Sequence, residues 1–236
     1  MTVAPLTILI PAAGSGERFK SAGYSDPKAL VPVLGKPMLQ RVLENLRPMV
    51  SHRAVIISRV DVDAVLGEND ICIHLTEPTE GAVDTLLKAR DHFTTEPLLI
   101  ANCDQLCAFD IDDFITASSI IDGGIVTFKS NKPHHSYVKT DLWGVVTEIA
   151  EKSVISSQAV CGIYLFRHGS DFLHYADQVV KANVRVKNEF YVSSVIDRMV
   201  AEGLSLTTYD APSFMLGTPE ELQLFEVAIQ VGNTVL

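Results

Sequence analysis

Two glycines and two cations near the start of the chain are spaced as a site for phosphate groups. Gly14 and Gly16 lie in a turn after an apolar run, Leu6 to Ile10, and the turn leads on to Arg18 and Lys28. The short apolar run predicts a buried strand. Glycines let backbone N–H groups come close to phosphate oxygens, arginine binds phosphate through two parallel hydrogen bonds, and lysine acts as a compact point charge. The pattern indicates a triphosphate-binding turn at the end of a strand.

The turn differs from the two best-known phosphate loops. It lacks the Gly-Lys-Ser/Thr ending of the Walker loop, because Gly16 is followed by Glu17 and Arg18. It also lacks the third glycine of the dinucleotide-binding fingerprint, where this chain has Phe19. Taken alone, the glycine pair fits an ordinary strand-to-loop turn with two surface cations equally well.

The segment from Pro11 to Asn45, PAAGSGERFKSAGYSDPKALVPVLGKPMLQRVLEN, resembles the N-terminal signature of the nucleoside-triphosphate transferase family. That family includes sugar-1-phosphate nucleotidylyltransferases and smaller cytidylyltransferases. The resemblance implies a Rossmann-like α/β fold. It also implies transfer of a nucleotidyl group from a nucleoside triphosphate to a phosphorylated acceptor, with Mg²⁺ as cofactor and release of pyrophosphate. The residues that carry the resemblance are, in order, Gly14, Gly16, Arg18, Pro27, Lys28, Gly35, Lys36 and Pro37.

The resemblance also implies roles for single residues. The nucleotide-binding residues are Ala12, Ala13, Gly14, Gly16, Arg18, Lys28, Gly81 and Asn102. The catalytic residues are Arg18, Lys28 and Lys152, and the acceptor-binding residues are Glu151, Lys152 and Gly162. In this scheme Glu151 accepts hydrogen bonds from sugar hydroxyls and Lys152 binds the acceptor phosphate. The alternatives are a solvated charge pair at a strand end for Glu151 and Lys152, and a plain helix N-terminus at Gly81.

Asp104 is the candidate metal ligand. It follows an apolar run, Leu98 to Ala101, that predicts a buried strand. In open parallel sheets ligands bind beyond the carboxyl ends of the strands, and Mg²⁺ prefers carboxylate oxygen. The resemblance likewise makes Asp104 the metal-binding aspartate, and a turn or helix-cap aspartate is the alternative.

The chain departs from the family pattern at Met215. Larger sugar nucleotidylyltransferases carry a second metal-binding aspartate two residues before a late Gly-Thr, which Gly217 and Thr218 match here. A methionine in that place cannot ligate Mg²⁺. Either Asp104 and the substrate phosphates hold the metal, or another carboxylate substitutes, with Asp210 and Glu189 as the candidates.

The order of elements predicts the architecture. Strands and helices alternate over residues 1–130, which favours a mainly parallel sheet in a three-layer α/β/α arrangement. From about residue 131, apolar strands at 137–139 and 145–149 flank a loop and predict a smaller hairpin lobe. We expect one domain over 1–236, with a nucleotide-binding half to about 130 and an acceptor-binding half from 131. A closing helix is predicted from Pro219, with Thr218 as its cap and Glu221 completing a capping box.

The composition favours a globular protein with small-molecule partners. The chain has 236 residues, of which 47% are apolar, and 19 cations against 29 anions give a net charge of −10. This negative net charge and the lack of a run of basic residues argue against nucleic acid as a binding partner. No run reaches the length of a membrane span, and the first apolar run lacks the preceding basic residue of a signal peptide. We therefore expect a cytoplasmic protein that binds a nucleoside triphosphate and a phosphorylated small molecule. The sequence carries no signal for an oligomeric state.

Other patterns are expected to be structural. Cys103 and Cys107 lack a second Cys/His pair, so free thiols are favoured over zinc. The His134-His135 pair is predicted in a surface loop. Two Asp-x-Asp motifs begin at Asp61 and Asp110. They leave a nucleotide-sugar-dependent glycosyltransferase as an alternative function, although helix capping explains the second motif. A non-catalytic nucleotide sensor is the remaining alternative.

Overall fold

The computed structural model describes residues 6–232, which form one nine-stranded sheet with two small two-stranded sheets beside it. The strands are β1 (Leu6–Ala12), β2 (Pro32–Val33), β3 (Lys36–Pro37), β4 (His52–Ser58), β5 (Ile71–His74), β6 (Leu98–Ala101), β7 (Gln105–Cys107), β8 (Gly123–Lys129), β9 (Tyr137–Thr140), β10 (Val146–Ala150), β11 (Gln158–Phe166), β12 (Leu206–Asp210) and β13 (Ser213–Met215). The helices are α1 (Glu17–Ser21), α2 (Met38–Asn45), α3 (Ala82–Leu87), α4 (Ile111–Ser118), α5 (Gly169–Lys181), α6 (Val192–Ala201) and α7 (Pro219–Gln230).

The large sheet is mainly parallel, as predicted. Strands β6, β1, β4 and β5 lie side by side and run in one direction, and β12 runs parallel to β8. Strand β11 lies between β6 and β8 and is antiparallel to both. The alternation of strands and helices did not predict this reversed strand, because β11 enters the sheet from the hairpin and not from a crossover helix.

Helices pack on both faces of the sheet, which confirms the three-layer arrangement. Strand β1 shows how the two cores are separated, since Ile8 and Ile10 face one core and Leu9 faces the other. Helices α2, α4 and α7 contribute to the first core, and helices α3, α5 and α6 contribute to the second. Strand β1 is therefore buried from both sides, and its carboxyl end is fixed.

The predicted hairpin is formed by β9 and β10, which pair antiparallel. Its loop is closed by the Asp141 carboxylate, which accepts hydrogen bonds from the backbone N–H groups of Trp143 and Val145 at 2.9 and 3.0 Å. Strand β9 also pairs with β11. The hairpin lobe therefore shares a strand with the main sheet.

The apolar residues Ala82, Leu86 and Ala89 have a helical spacing that predicts a helix over 81–92, and this prediction is wrong in its second half. Helix α3 ends at Leu87, and the chain then tightens, with the N–H groups of Lys88 and Ala89 bonded three residues back. A separate 3₁₀ turn follows at Arg90–His92. The longest helix of residues 6–232 has 13 residues, and none has the length and apolarity to cross a bilayer.

Candidate active site

A cleft of about 660 Å³ opens where strands β1, β4 and β6 end. The segments that follow these strands line it, together with residues 25–29, residues 78–85 and two side chains from the loop before α6. The carboxyl ends of parallel strands meet at one edge of the sheet, which is why these segments converge. Of the residues predicted to bind nucleotide, the cleft is lined by Ala12, Ala13, Gly14, Lys28, Gly81 and Asn102.

Lys28 and Asp104 meet in this cleft. The Lys28 ammonium is in direct contact with the Asp104 carboxylate, and both side chains are largely buried. Burial lowers the pKa of Lys28, but the charges of Asp104 and Cys103 and the hydrogen bond to Asp104 outweigh burial and the repulsion of Arg18, so the net shift is upward. Gly16 has φ 68°, and a Cβ there would lie 3.1 Å from the Cβ of Lys28. The second glycine of the turn thus lets the chain pack against the lysine.

Arg18 lies on the exposed surface of α1 and does not line the cleft. Lys20, two residues further along the same helix, does line it and is paired with Glu17 at 3.3 Å. Sequence reasoning missed Lys20. Because α1 is a short helix, the spacing alone did not indicate which of its cations faces the cleft.

Asn102 is held at the end of β6 by two backbone contacts. Its N–H donates to the carbonyl of Gly162 at 3.0 Å, and its own carbonyl accepts from the Gln105 side chain at 2.8 Å. Gly162 has φ 96°, and a Cβ there would lie 2.2 Å from the Asn102 amide nitrogen. Gly162 was predicted to bind the acceptor, but it lies behind Asn102 and does not line the cleft.

Glu151 follows β10 and is held by two serine hydroxyls. Its Oε2 accepts hydrogen bonds from Ser193 at 2.7 Å and from Ser136. The two serines come from α6 and from the segment before β9. This carboxylate is therefore fixed in position by the hairpin lobe and the helix that covers it.

Lys152 adopts a left-handed backbone conformation with φ 53° and points toward the loop before α6. Its ammonium contacts the Tyr191 hydroxyl, lies 4.2 Å above that ring and is 4.0 Å from the Glu189 carboxylate. Burial raises the pKa of Tyr191, and the hydrogen bond and charge of Glu189 raise it further. Tyr191 and Glu189 both line the cleft. Lys152 is thus joined to the cleft through these two side chains.

Met215 belongs to β13, which pairs antiparallel with β7, the strand that follows Asp104. The next residue, Leu216, donates its N–H to the Asp104 carbonyl at 2.8 Å. A Cβ on Gly217 would lie 3.0 Å from an Asp104 carboxylate oxygen and 3.5 Å from a Glu221 carboxylate oxygen. The segment therefore brings the Glu221 carboxylate, which sequence reasoning had assigned to a capping box, to the same side of Gly217 as the Asp104 carboxylate.

Only half of that capping box forms. The Thr218 hydroxyl accepts from the Glu221 N–H at 3.2 Å, but the Glu221 carboxylate lies 3.5 Å from the ring of His134. Of the two substitutes considered for the second metal ligand, Glu189 lines the cleft and Asp210, at the end of β12, does not.

Neither Asp-x-Asp spelling lines the cleft. Asp110 caps α4, where its carboxylate accepts from the N–H groups of Asp112 and Asp113 at 2.9 and 3.1 Å, as predicted. The Asp61 carboxylate bonds the N–H of Asp63 in a local turn. The four cysteines are free thiols. His134 is exposed, but the surface prediction is wrong for its neighbour His135, which is buried with its ring 5.2 Å from that of Phe128.

A mainly parallel sheet with a glycine-rich turn after its first strand, and an acid after the neighbouring strand, is typical of the class of α/β nucleotide-binding proteins. The chain belongs to the family of MobA-like NTP transferase domains, whose model matches residues 8–156. This confirms the family membership predicted from Pro11 to Asn45.

Relatives with known names agree with this family. The chain is 28% identical over 242 residues to the bifunctional protein GlmU of Aquifex aeolicus, with 90% of this chain and 49% of that protein covered. The chain thus spans about half the length of the curated relatives it matches. Among solved structures, a nucleoside-diphosphate-sugar pyrophosphorylase from Vibrio cholerae RC9 is similar with a TM-score of 0.81 at 22% identity, over 93% of this chain and 99% of the other. A UDP-glucose pyrophosphorylase complexed with UDP-glucose is similar with a TM-score of 0.79 at 15% identity, over 97% and 100%.

Proposed function

We propose that the chain transfers a nucleoside monophosphate group from a nucleoside triphosphate to a phosphorylated acceptor, a sugar 1-phosphate, and releases pyrophosphate. The observation that carries the proposal is the direct contact of Lys28 with Asp104 inside a cleft bounded by the glycine-rich turn. The names of the relatives, GlmU and sugar pyrophosphorylases, support this reaction class. The proposal includes the cytoplasmic location that the sequence predicts.

The reaction needs positioning more than acid–base chemistry. An oxygen of the acceptor phosphate attacks the α-phosphorus, the bond from that phosphorus to the bridging oxygen breaks, and pyrophosphate leaves with the electron pair. Since the nucleophile is already anionic, no strong general base is required. Lys28 stays charged and would neutralise the developing negative charge at the α-phosphate, and Lys20, which lines the cleft, would do so at the β- and γ-phosphates.

The residues around Asp104 fit a bound Mg²⁺. Asp104 and Glu221 are hard oxygen donors, and Gly217 leaves open space between them because it lacks a Cβ. When bound, Mg²⁺ would neutralise the triphosphate and the leaving pyrophosphate. Asp104 would hold the ion, and Glu221 would supply the second carboxylate in place of Met215.

The acceptor is assigned to the side of the cleft lined by Tyr191 and Glu189, where Lys152 contacts Tyr191 and Glu151 precedes Lys152 in the chain. Lys152 supplies a cation for the acceptor phosphate. The Glu151 carboxylate is held by two serine hydroxyls and can accept hydrogen bonds from sugar hydroxyls. Together they would set the acceptor in line with the α-phosphorus.

A substrate panel tests the proposal. Each of ATP, GTP, CTP, UTP and dTTP is mixed with Mg²⁺ and one of four acceptors: glucose 1-phosphate, N-acetylglucosamine 1-phosphate, inositol 1-phosphate or phosphocholine. Pyrophosphate release is measured. We expect release with a sugar 1-phosphate and one preferred base. Release only with a phosphorylated alcohol would replace the acceptor class by that of a cytidylyltransferase. Tight triphosphate binding without release from any pair would instead indicate a nucleotide sensor and contradict the proposal.

A further inference from the structure

The loop between α5 and α6 packs directly on the segment that begins α3. The N–H of Phe190 donates to the Glu80 carbonyl at 2.8 Å, and the N–H of Val83 donates to the Phe190 carbonyl at 3.1 Å. Gly81 lies between them with φ 118°, and a Cβ there would lie 2.6 Å from the nitrogen and 2.7 Å from the oxygen of Phe190. Two backbone hydrogen bonds thus join the segment 78–83 to the loop 183–191.

One side chain spans the same junction. The guanidinium of Arg185 donates to the Glu80 carboxylate at 2.7 Å, to the Asn188 carbonyl at 2.9 Å and to the Asn183 side chain at 2.6 Å. It also lies 3.9 Å above the ring of Phe190. An exposed ion pair by itself contributes little, but a guanidinium held by three hydrogen bonds and an aromatic face has a fixed geometry. The Arg185 guanidinium therefore binds both segments, Glu80 in one and Asn183 and Asn188 in its own loop.

The loop that Arg185 holds contains a strained turn. Val186 and Glu189 exchange two backbone hydrogen bonds around Lys187 and Asn188, which have φ 47° and 66°. This is the conformation of a type I′ turn, which asparagine tolerates and lysine does not favour. The hydrogen bond from Arg185 to the Asn188 carbonyl supports the turn from inside. Such strain persists only where the surroundings determine the conformation.

Both joined segments face the same cleft. Thr79, Gly81 and Ala82 line it on one side of the junction, and Glu189 and Tyr191 line it on the other. In the proposed function the first set lies beside the nucleotide and the second set beside the acceptor. A substrate that restrains one segment will therefore also restrain the other, through Arg185 and the two backbone hydrogen bonds.

We propose that Arg185 is a positioning residue that couples nucleotide binding to acceptor binding. This inference rests on the proposed function for the identity of the two ligands. Each ligand raises the affinity for the other by the same factor, and for a coupling of this kind a factor of about ten is typical. The reason is that the first ligand to bind carries the entropic cost of restraining segment 78–83 and loop 183–191, so the second ligand binds to segments that are already restrained.

The test uses the full chain and three variants. Arg185→Ala removes the side-chain connection and leaves the two backbone hydrogen bonds as the remaining link. Arg198→Ala is the matched control, because Arg198 forms an exposed ion pair with Glu202 on α6 at 2.8 Å and contacts neither segment. The dissociation constant of an α,β-methylene analogue of the preferred triphosphate is measured with and without saturating acceptor, so that no turnover occurs. We expect coupling of about tenfold in the wild type and in Arg198→Ala, and coupling below about threefold in Arg185→Ala, where only the backbone hydrogen bonds remain.

A second substitution separates coupling from loop shape. Lys187→Gly relieves the strained turn, so adding it to Arg185→Ala should restore acceptor affinity while coupling stays below about threefold. Coupling that persists in Arg185→Ala would overturn the inference. So would its return in the double variant, because the arginine would then serve only to shape the loop.

Hydrogen exchange gives a readout that does not depend on the substrates. Without ligand, the amides of Val83 and Phe190 should exchange at least about tenfold faster in Arg185→Ala than in Arg198→Ala. Unchanged exchange would refute the coupling even if the panel found no substrate. Failure of the proposed function would appear separately, as a wild-type chain that releases no pyrophosphate.

Discussion

Replacement of Gly162 by alanine should reduce activity while leaving the fold almost intact. A Cβ at this position would lie 2.2 Å from the amide nitrogen of Asn102, whereas ordinary contacts begin near 3.4 Å. The side chain of Asn102 must therefore move by about 1.2 Å, the difference between these two distances. Because the amide is the free end of a side chain, it can move without displacing β6.

The stability cost comes mainly from the backbone. Gly162 has φ 96°, and alanine in a positive-φ conformation costs about 1–2 kcal/mol. Gly23 is the matched control, since it has φ 88° and an added Cβ would meet nothing within 4 Å. Both variants should lose similar free energy of unfolding. Only Gly162→Ala should lose activity, because a displacement of about 1 Å at a substrate-positioning group can reduce the rate by about 100-fold.

Urea denaturation and steady-state pyrophosphate release measure the two effects. We expect kcat/KM to fall by about 100-fold in Gly162→Ala and by less than about threefold in Gly23→Ala, with similar unfolding free energies. If kcat/KM of Gly162→Ala stays within about threefold of the wild type, the position of Asn102 does not matter for the reaction. The reasoning from this close contact would then be refuted.

Three further predictions concern turnover, packing and pH. Lys28→Ala should lower kcat by about 100-fold or more while the triphosphate dissociation constant changes only a few-fold; an unchanged kcat would remove Lys28 from the mechanism. Gly81→Ala should lower the free energy of unfolding, measured in urea, by about 3–4 kcal/mol, because it adds a Cβ at positive φ and also breaks two hydrogen bonds to Phe190. The control Gly23→Ala should lose only about 1–2 kcal/mol. Equal losses in the two variants would contradict the packing argument. Burial lowers the pKa of His135 from 6.5 to about 4. As the pH drops from 6.5 to 4, His135 therefore takes up a proton in the unfolded chain before it does so in the folded chain. The free energy of unfolding falls by about 3 kcal/mol over this range. His135→Phe should flatten this fall, and an unchanged pH profile would count against the pKa shift.

Much of the fold could be predicted because long segments carry one clear period. The apolar run of β1 and the capped start of α7 at Thr218 are local signals, and both elements lie where predicted. Strands β5 and β7 are short and lie among polar residues, so their pairing depends on partners distant in the sequence. The reversed strand β11 has an apolar run that fits either direction, since direction is set by topology and not by composition.

The site was predictable to the extent that it follows strand ends. Asp104 and Lys28 meet because each lies in a segment that reaches the same edge of the sheet. The orientation of Lys20 and the approach of Glu221 depend on helix rotation and on the β7–β13 pairing, which no local pattern encodes. Gly162 was linked to the right region, but its contact with Asn102 appears only when β11 lies beside β6.

Strand β11 has a consequence for protein engineering. Its first residues pair with β9, its last residues pair with β6, and its other edge pairs with β8 along most of its length. Gly162 lies at the point where one set of partners gives way to the next. In a chimaera that imports only β9 and β10 from another enzyme, the foreign β9 would have to pair with the resident β11, whose side chains match a different β9. The smallest transplantable module therefore runs from β8 through β12, and exchange of acceptor preference between such enzymes should succeed with those boundaries.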